Sequence, residues 1–315
     1  MARPLIARRM AFLAAVLAML GLQSDPAAAG CNSGDVADSD LLSSANCEAS
    51  APGSGALAVG TDASAQGDQT TALGSEAGGL GSTGTRNTWT GRSAGQQVDG
   101  NNNTASGFFS GFNVEGDSNA AFGEVAGQNV FGSRNTANGA SSGTTVFGDS
   151  NTASGYLSGR SVTGSSNAGF GHSAGELVTG DRNTASGYLS GGVVMGNSNA
   201  AFGDSAGQFV TGSNNVAMGL AAGSNITASN TVSIGTGALA SADGATAIGL
   251  NSQATGTNAI AIGSGAVATG SRGRQCGGRF QRRRCLRRFH HRNGHEQHRH
   301  RPERDGDACQ RRRLR

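Results

Sequence analysis

A sixteen-residue repeat dominates this chain. Residues 87–230 divide into nine consecutive units of sixteen without insertion or deletion, each with Asn at position 1 and Gly at positions 5 and 9. Position 12 is always β-branched, and its residues are Val98, Val114, Val130, Val146, Val162, Val178, Val194, Val210 and Ile226. A fixed period of this kind predicts a solenoid, in which one short coil is stacked many times.

Shorter units flank this array. The period is fourteen residues over 56–74 and again after Asn230, where Ala-Thr-Ala-Ile-Gly at 245–249 is followed by Ala-Ile-Ala-Ile-Gly at 259–263. Both unit types place a small or branched apolar residue two positions before a Gly. We interpret the sixteen-residue unit as the fourteen-residue unit with two residues added to one turn.

The repeated coil is predicted to be β rather than helical. Apolar residues alternate with period two, and Gly recurs too often for a helix interior. Two strands of about four residues fit into each unit, and so short a coil must be flattened, with its strands back to back. We therefore expect an all-β solenoid of parallel strands.

One coil is not stable alone. Ordering a residue costs about 1–2 kcal/mol of backbone entropy, whereas burial of a Val returns only about 1.5–3 kcal/mol and burial of an Ala returns less. Stacking adds backbone hydrogen bonds between coils but leaves one broad face of small apolar side chains uncovered. That face predicts lateral association into a closed symmetric oligomer.

The N-terminus has the pattern of a secretory signal. Three Arg residues precede an apolar run over 10–22, and small residues follow at 27–29, so we assign residues 1–29 to a signal peptide. Acylation at Cys31 is the alternative. Residues 30–55 form a leader or cap, in which Cys31 and Cys47 either form a disulfide or remain free thiols.

The fourteen-residue unit carries a family resemblance. The sequence Asn-Ala-Ile-Ala-Ile-Gly-Ser-Gly-Ala-Val-Ala-Thr-Gly at 258–270 resembles the YadA-like head repeat of trimeric autotransporter adhesins, and the resemblance covers residues 56–272. It implies a left-handed parallel β-roll in each of three chains, which pack through their inner strands. Such heads attach bacteria to host matrix, host cells or each other. Nothing after Gly270 resembles the stalk and membrane anchor that carry such heads, so we expect a truncated head.

The end of the chain is unlike the rest. Residues 273–315 contain 15 Arg against 4 acidic residues, whereas residues 1–272 contain 9 Arg against 17. One reading is a nucleic-acid-binding tail. Another is a metal site built from Cys276, Cys285, His290, His291, His295, His298 and Cys309, although these lack a known ligand spacing.

A shifted reading frame explains the same composition more simply. Arg codons of the form CGN, read one base later, encode Ala, Gly, Val or Asp, which restores the composition of the repeats. We therefore interpret residues 273–315 as a disordered frameshift product and expect no nucleic-acid partner.

The repeats lack the residues of an enzyme. His172 is the only His before the basic end, so Ser and Thr have no base to pair with. The residues Asp117, Asp149, Asp181 and Asp204 do not follow the calcium-binding β-roll pattern. We predict a non-enzymatic adhesin head without metal or cofactor. The alternatives are an ice-binding solenoid, a carbohydrate-acting solenoid and a non-functional fragment of an adhesin.

Ligand-binding residues are sought at the variable positions. Aromatic residues recur at Phe108, Phe109, Phe122, Tyr156, Phe170, Tyr188 and Phe202; they either stack on a ligand or pack inside or between subunits, and we favour packing. Variable positions 6, 7, 10 and 11 provide the candidate exposed residues Tyr156, Leu157, Tyr188, Leu189, Asp204 and Gln208. The expected partners are two further copies of the chain and an unidentified host ligand.

The expected location follows from the signal peptide. An intact relative would be exported to the outer membrane and the cell surface. Because this sequence shows no anchor and no membrane span after signal cleavage, we expect a periplasmic or secreted product.

Overall fold

A computed structural model describes residues 49–79, 81–270 and 274–276. They form an all-β parallel solenoid of about 13 turns, without a helix among the described residues. The prediction of an all-β solenoid of parallel strands is confirmed. The signal peptide, the Cys31 and Cys47 pair and residues 277–315 lie outside the described residues.

Most coils contribute one strand to each of two facing sets, and the others contribute a strand to the first set only. Sheet A has fifteen strands, which pair in chain order: Leu57–Val59, Thr71–Leu73, Thr88–Thr90, Thr104–Ser106, Ala120–Phe122, Thr136–Asn138, Thr152–Ser154, Ala168–Phe170, Thr184–Ser186, Ala200–Phe202, Val216–Met218, Val232–Ile234, Thr246–Ile248, Ile260–Ile262 and Arg274–Cys276. The last of these lies within the segment interpreted as a frameshift product. Sheet A thus runs without interruption through both coil types.

Two further sheets face sheet A. Sheet B has eight strands: Val98–Asp99, Val114–Glu115, Val130–Phe131, Val146–Phe147, Val162–Thr163, Leu177–Thr179, Val193–Met195 and Val210–Thr211. Sheet C has three: Leu239–Ala240, Gln253–Ala254 and Val267–Ala268. All of these strand pairs are parallel.

The strand register follows the repeat. Thr88 pairs with Thr104, sixteen residues later, and this spacing continues until Val216 pairs with Val232. Val232 then pairs with Thr246, fourteen residues later.

The two extra residues of the longer coil lie in the turn between the sheets. In the coil of Ser190, two Gly residues separate that residue from the strand Val193–Met195. In the fourteen-residue coil, Leu239–Ala240 begins directly after Ala238. Ser190 and Ala238 are equivalent, because the carbonyl of each accepts a hydrogen bond from a Gly of the coil before. The longer coil is therefore wider at this turn.

The strands are shorter than predicted, with two or three residues rather than about four. Gly ends them on both sides of the coil, as at Gly155 (φ 131°) and Gly164 (φ 133°). A side chain at Gly155 would lie 2.4 Å from the carbonyl oxygen of Gly171 in the next coil. Gly is therefore required at position 5 both by the backbone angle and by the close stacking of coils.

The core lies inside the flattened coil. Small residues at position 3, such as Ala153, face the β-branched residues at position 12, such as Val162, and both are buried. Trp89 is the exception at position 3, with 1% of its surface exposed. The predicted back-to-back strands are confirmed. The prediction that the aromatic residues pack inside the coil is wrong for six of the seven, and their packing between subunits stays a prediction. These six are exposed: Phe108, Phe122, Tyr156, Phe170, Tyr188 and Phe202.

Two ladders of polar side chains join the coils. In the first, the side-chain oxygen of each position 1 Asn accepts the backbone N–H of its counterpart in the next coil at 2.8–3.0 Å, from Asn87 through Asn215 to Thr231. In the second, position 15 side chains accept backbone N–H groups from the preceding coil, as Asp149 does from Ser133 at 2.7 Å. The Asp residues at 117, 149 and 181 belong to this second ladder.

Candidate functional site

Three sets of side chains face away from the core of the coils. Positions 2 and 4 lie on the outer face of sheet A, position 13 lies on the outer face of sheet B, and positions 6 and 7 form one corner of the turn between the sheets. Because coils stack with a constant spacing, equivalent residues form columns along the solenoid. Any binding surface on the array is therefore a column or a group of neighbouring columns.

The position 6 column contains an aromatic stack. The ring of His172 lies 5.1 Å from the ring of Tyr156 and 5.0 Å from the ring of Tyr188, measured between centroids. All three side chains are exposed, and the two Tyr residues retain 52% and 51% of their surface. Three consecutive coils thus present a continuous Tyr-His-Tyr edge.

Backbone hydrogen bonds hold this edge in place. Ser173 donates its N–H to the carbonyl of Tyr156 at 2.9 Å, and Leu189 donates to the carbonyl of His172 at 2.9 Å. Leu157 and Leu189, at position 7, have left-handed backbone angles (φ 56° and 51°) and are half-buried. A left-handed backbone is uncommon for Leu, and the chain tolerates it here because the ladder bonds fix the turn.

The structure brings the predicted candidates of this turn together. Tyr156, Leu157, Tyr188 and Leu189 lie on one corner, with His172 between the two pairs. Asp204 follows in the same column and is exposed, and its backbone carbonyl accepts the N–H of Ala221 at 2.9 Å.

Gln208 has a different role. It is half-buried, and its Nε2 donates to the carbonyl of Leu189 at 3.0 Å. Gln128 makes the equivalent bond to Phe109 at 3.2 Å. Gln at position 10 therefore fastens the turn of one coil to that of the coil before, and its amide is already engaged.

Sequence reasoning missed other residues of the same turn. The contacts of His172 with two Tyr rings were not foreseen. Leu177 and Phe209, at position 11, expose 46% and 55% of their surface. Arg160 and Glu176 form an ion pair between adjacent coils at position 10. Aligning residues by their position in the repeat could have placed these neighbours together.

A second aromatic group lies on a different face. Phe131 and Phe147 occupy position 13 of sheet B, with parallel rings whose centroids are 5.1 Å apart. Phe147 exposes 47% of its surface. This stack is a natural control for the Tyr-His-Tyr edge because it has similar composition and lies on the same solenoid.

The outer face of sheet A changes along the chain. Thr and Ser at positions 2 and 4 alternate with Ala and Phe in the array, and branched apolar residues follow at Val232, Ile234, Ile248, Ile260 and Ile262. Among the described strands, Thr-x-Thr occurs once, at Thr88–Thr90. That part of the chain lacks the regular Thr ranks that an ice-binding surface would need.

A comparison with known protein families finds matches mainly in the fourteen-residue coils. The YadA head domain repeat matches residues 51–77, 227–252 and 254–273, and two copies are recognised. These segments are YadA-like head repeats. None of the curated proteins matches the chain. The matched segments lie at both ends of the sixteen-residue array, with the second beginning in its last unit at residue 227, and sheet A joins them to it without a break.

The matching repeat family suggests an adhesin-type surface protein. The YadA head family is in general non-enzymatic, and its members trimerise and bind ligands. Within the described residues of the YadA-like head, no three His, Cys, Asp or Glu side chains are grouped to hold a metal ion. The same residues include no helix with the length and apolar character needed to cross a membrane.

Proposed function

We propose that this chain is a non-enzymatic adhesin head that binds host matrix, host cells or other bacteria through repeated weak contacts. The observation that carries the proposal is the alignment of equivalent side chains in columns along the turn, of which Tyr156, His172 and Tyr188 are three consecutive members. A column offers the same type of contact at each coil, so contacts add along one ligand or across several ligands.

Trimerisation through sheet A is part of this proposal. The outer face of sheet A carries Ile234, Ile248, Ile260 and Ile262 close together, and Ile262 exposes 44% of its surface. Apolar patches of this kind on a single chain are typical of association surfaces. Three left-handed rolls packed on this face would cover it and would leave the Tyr-His-Tyr edge of each chain available to a ligand.

An adhesion assay tests the proposed function. The head is displayed on a bacterium that does not adhere, and attachment to immobilised matrix proteins, to cultured cells and between bacteria is measured. We expect attachment to at least one of these surfaces, and we expect it to fall when Tyr156 and Tyr188 are both changed to Ala.

The matched control changes Phe131 and Phe147 to Ala, which removes two aromatic rings from the other face. If the two double variants adhere equally well, the Tyr-His-Tyr edge is not the binding surface. If the displayed head adheres to none of the surfaces, or if the purified chain cleaves polysaccharides, the adhesin assignment itself is wrong.

A further inference from the structure

Phenylalanine marks three of the nine sixteen-residue coils on the outer face of sheet A. Phe122, Phe170 and Phe202 occupy position 4 of their coils, and all three side chains are exposed. In the register of sheet A, Phe170 lies between Ser154 and Ser186, so its ring has a small residue on each side. The three rings are therefore separated from one another along the face.

The residue at position 2 follows the residue at position 4. Each Phe shares its strand with a small residue at position 2, and these residues are Ala120, Ala168 and Ala200. Small polar residues at position 4 share their strands with Thr instead, and they are Ser106, Asn138, Ser154 and Ser186. Positions 2 and 4 lie on the same face of a strand. Each strand that presents a ring therefore also presents a gap beside it.

A second copy of the chain fits this pattern. In a closed threefold assembly the contact is heterologous, so one edge of a face packs against the opposite edge of the next chain. Equivalent strands of the three chains then lie at the same level, and position 4 of one chain faces position 2 of its neighbour. A Phe ring meets the Ala of the same coil, whereas a Ser meets a Thr.

Sheet A also has the dimensions of a specific interface. Its fifteen strands, spaced by about 4.8 Å, extend over about 70 Å, and three residues of a strand span about 10 Å. The face therefore covers roughly 700 Å², comparable with the roughly 800 Å² that each partner contributes to a standard interface. A second solenoid of equal length covers all of it.

Repeated coils leave the register of such an assembly ambiguous. A chain shifted by one coil along its neighbour keeps a similar backbone surface, and a face with repeated side chains specifies its register weakly. Phe170 lies three coils after Phe122, and Phe202 lies two coils after Phe170. Because these intervals differ, any shift brings at most one Phe coil level with another and leaves the other rings without an Ala to face.

We propose that Phe122, Phe170 and Phe202 set the axial register in which copies of this chain associate through sheet A. This inference rests on the trimerisation proposed above and adds how nearly identical coils find their counterparts. Burial of each ring against Ala stabilises the aligned assembly. Overpacking of a ring against Thr opposes the shifted ones.

Moving one ring by one coil tests this register. The swap variant exchanges positions 2 and 4 between two coils, through Ala168→Thr, Phe170→Ser, Thr184→Ala and Ser186→Phe. Full-length wild type and variant, carrying different affinity tags, are produced together, and their trimers are counted by native mass spectrometry. We expect the variant to trimerise by itself. We expect mixed trimers at least about tenfold below the binomial proportion, because rings at different levels do not all face Ala.

The matched control exchanges position 4 between two coils that both carry Thr at position 2, through Asn138→Ser and Ser154→Asn. It should mix with the wild type in the binomial proportion. Binomial mixing of the swap variant would overturn the register proposal and would leave trimerisation and adhesion untouched. A monomeric wild type would overturn trimerisation and the register together.

A second swap variant keeps the test decisive if the first does not fold. It moves a different ring by one coil, through Thr104→Ala, Ser106→Phe, Ala120→Thr and Phe122→Ser, and it should also trimerise by itself and exclude the wild type. If neither swap variant trimerises by itself, the proposal is overturned as well, because matching layers then do not suffice for assembly.

Discussion

The side-chain oxygen of Asn151 accepts two hydrogen bonds from Asn167 in the next coil, one from its backbone N–H at 2.9 Å and one from its Nδ2 at 3.1 Å. Asn167 repeats the arrangement toward Asn183, and its Nδ2 also reaches the carbonyl of Gly180 in its own coil at 2.8 Å. One side chain therefore closes its own turn and joins that turn to both neighbours. This double role explains why position 1 is Asn in all nine units.

Removing one ladder amide should destabilise the array. Asn167→Ala removes the partner of the buried N–H of Asn183, at roughly 1–3 kcal/mol, and also the partner of the half-buried carbonyl of Gly180. We expect a lower unfolding temperature and faster hydrogen exchange at the Asn183 amide. Asn138→Ala is the control, because Asn138 is exposed on the outer face of sheet A. Equal unfolding temperatures for the two variants would show that the ladder contributes nothing to stability.

The position 15 ladder should accept any short side chain with an oxygen. Asp149 accepts the N–H of Ser133 at 2.7 Å, and Ser213 does the same for Asn197 through its hydroxyl at 3.0 Å. We expect Asp149→Ala to lower the free energy of unfolding by about 0.5–1.5 kcal/mol. Asp149→Ser should restore most of that loss in urea unfolding. A Ser variant as unstable as the Ala variant would instead indicate a role for the charge of Asp149.

Two glycines of the turn after sheet A, at residues 155 and 265, should differ sharply in their tolerance of a side chain. Gly155 has a φ of 131°, and an added Cβ would lie 2.4 Å from the carbonyl oxygen of Gly171. We therefore expect Gly155→Ala to lower the free energy of unfolding by about 3 kcal/mol or more. Gly265 has φ 64° and no atom within 4 Å of an added side chain, and Asn251 holds the equivalent position one coil earlier. Gly265→Asn should therefore change stability by less than about 0.5 kcal/mol. Thermal unfolding of both variants checks the contrast, and similar losses would contradict it.

Self-association should depend on one face of the solenoid. Ile262→Arg places a charge on the outer face of sheet A, and we expect it to shift the sedimentation of the full chain from trimer to monomer. The control is Val267→Arg, at a residue of similar exposure on sheet C, 40% against 44%. Two results would show that the association face was wrongly assigned. The wild-type chain could be a monomer, or its trimer could survive Ile262→Arg but not Val267→Arg.

Sequence reasoning reached the solenoid but left the role of Asn open. Asn at position 1 suits either a left-handed backbone or a side-chain ladder, and the repeat pattern does not choose between them. The structure assigns the ladder to position 1, while the left-handed backbone falls on the preceding residue, such as Arg182 before Asn183 or Asn230 before Thr231. Composition could not separate these, because Asn suits both roles and the two positions are adjacent.

The candidate surface was foreseen only in part. Tyr156 and Tyr188 were predicted to be exposed, and they are. Gln208 was chosen for the same reason, yet its amide is engaged by the carbonyl of Leu189. The direction of a side chain in a seven-residue turn depends on backbone angles that the repeat pattern does not specify. Leu177 and Phe209 were not predicted, because only the stacking of coils brings equivalent positions together.

The sequence by itself determined the coil. Three features are local requirements repeated in each unit: the period, the Gly residues that end the strands and the inward Val at position 12. They can therefore be counted along the chain. Only the tertiary structure decided what the coils do together. Stacking brings residues sixteen apart into contact, which forms the column of Tyr156, His172 and Tyr188.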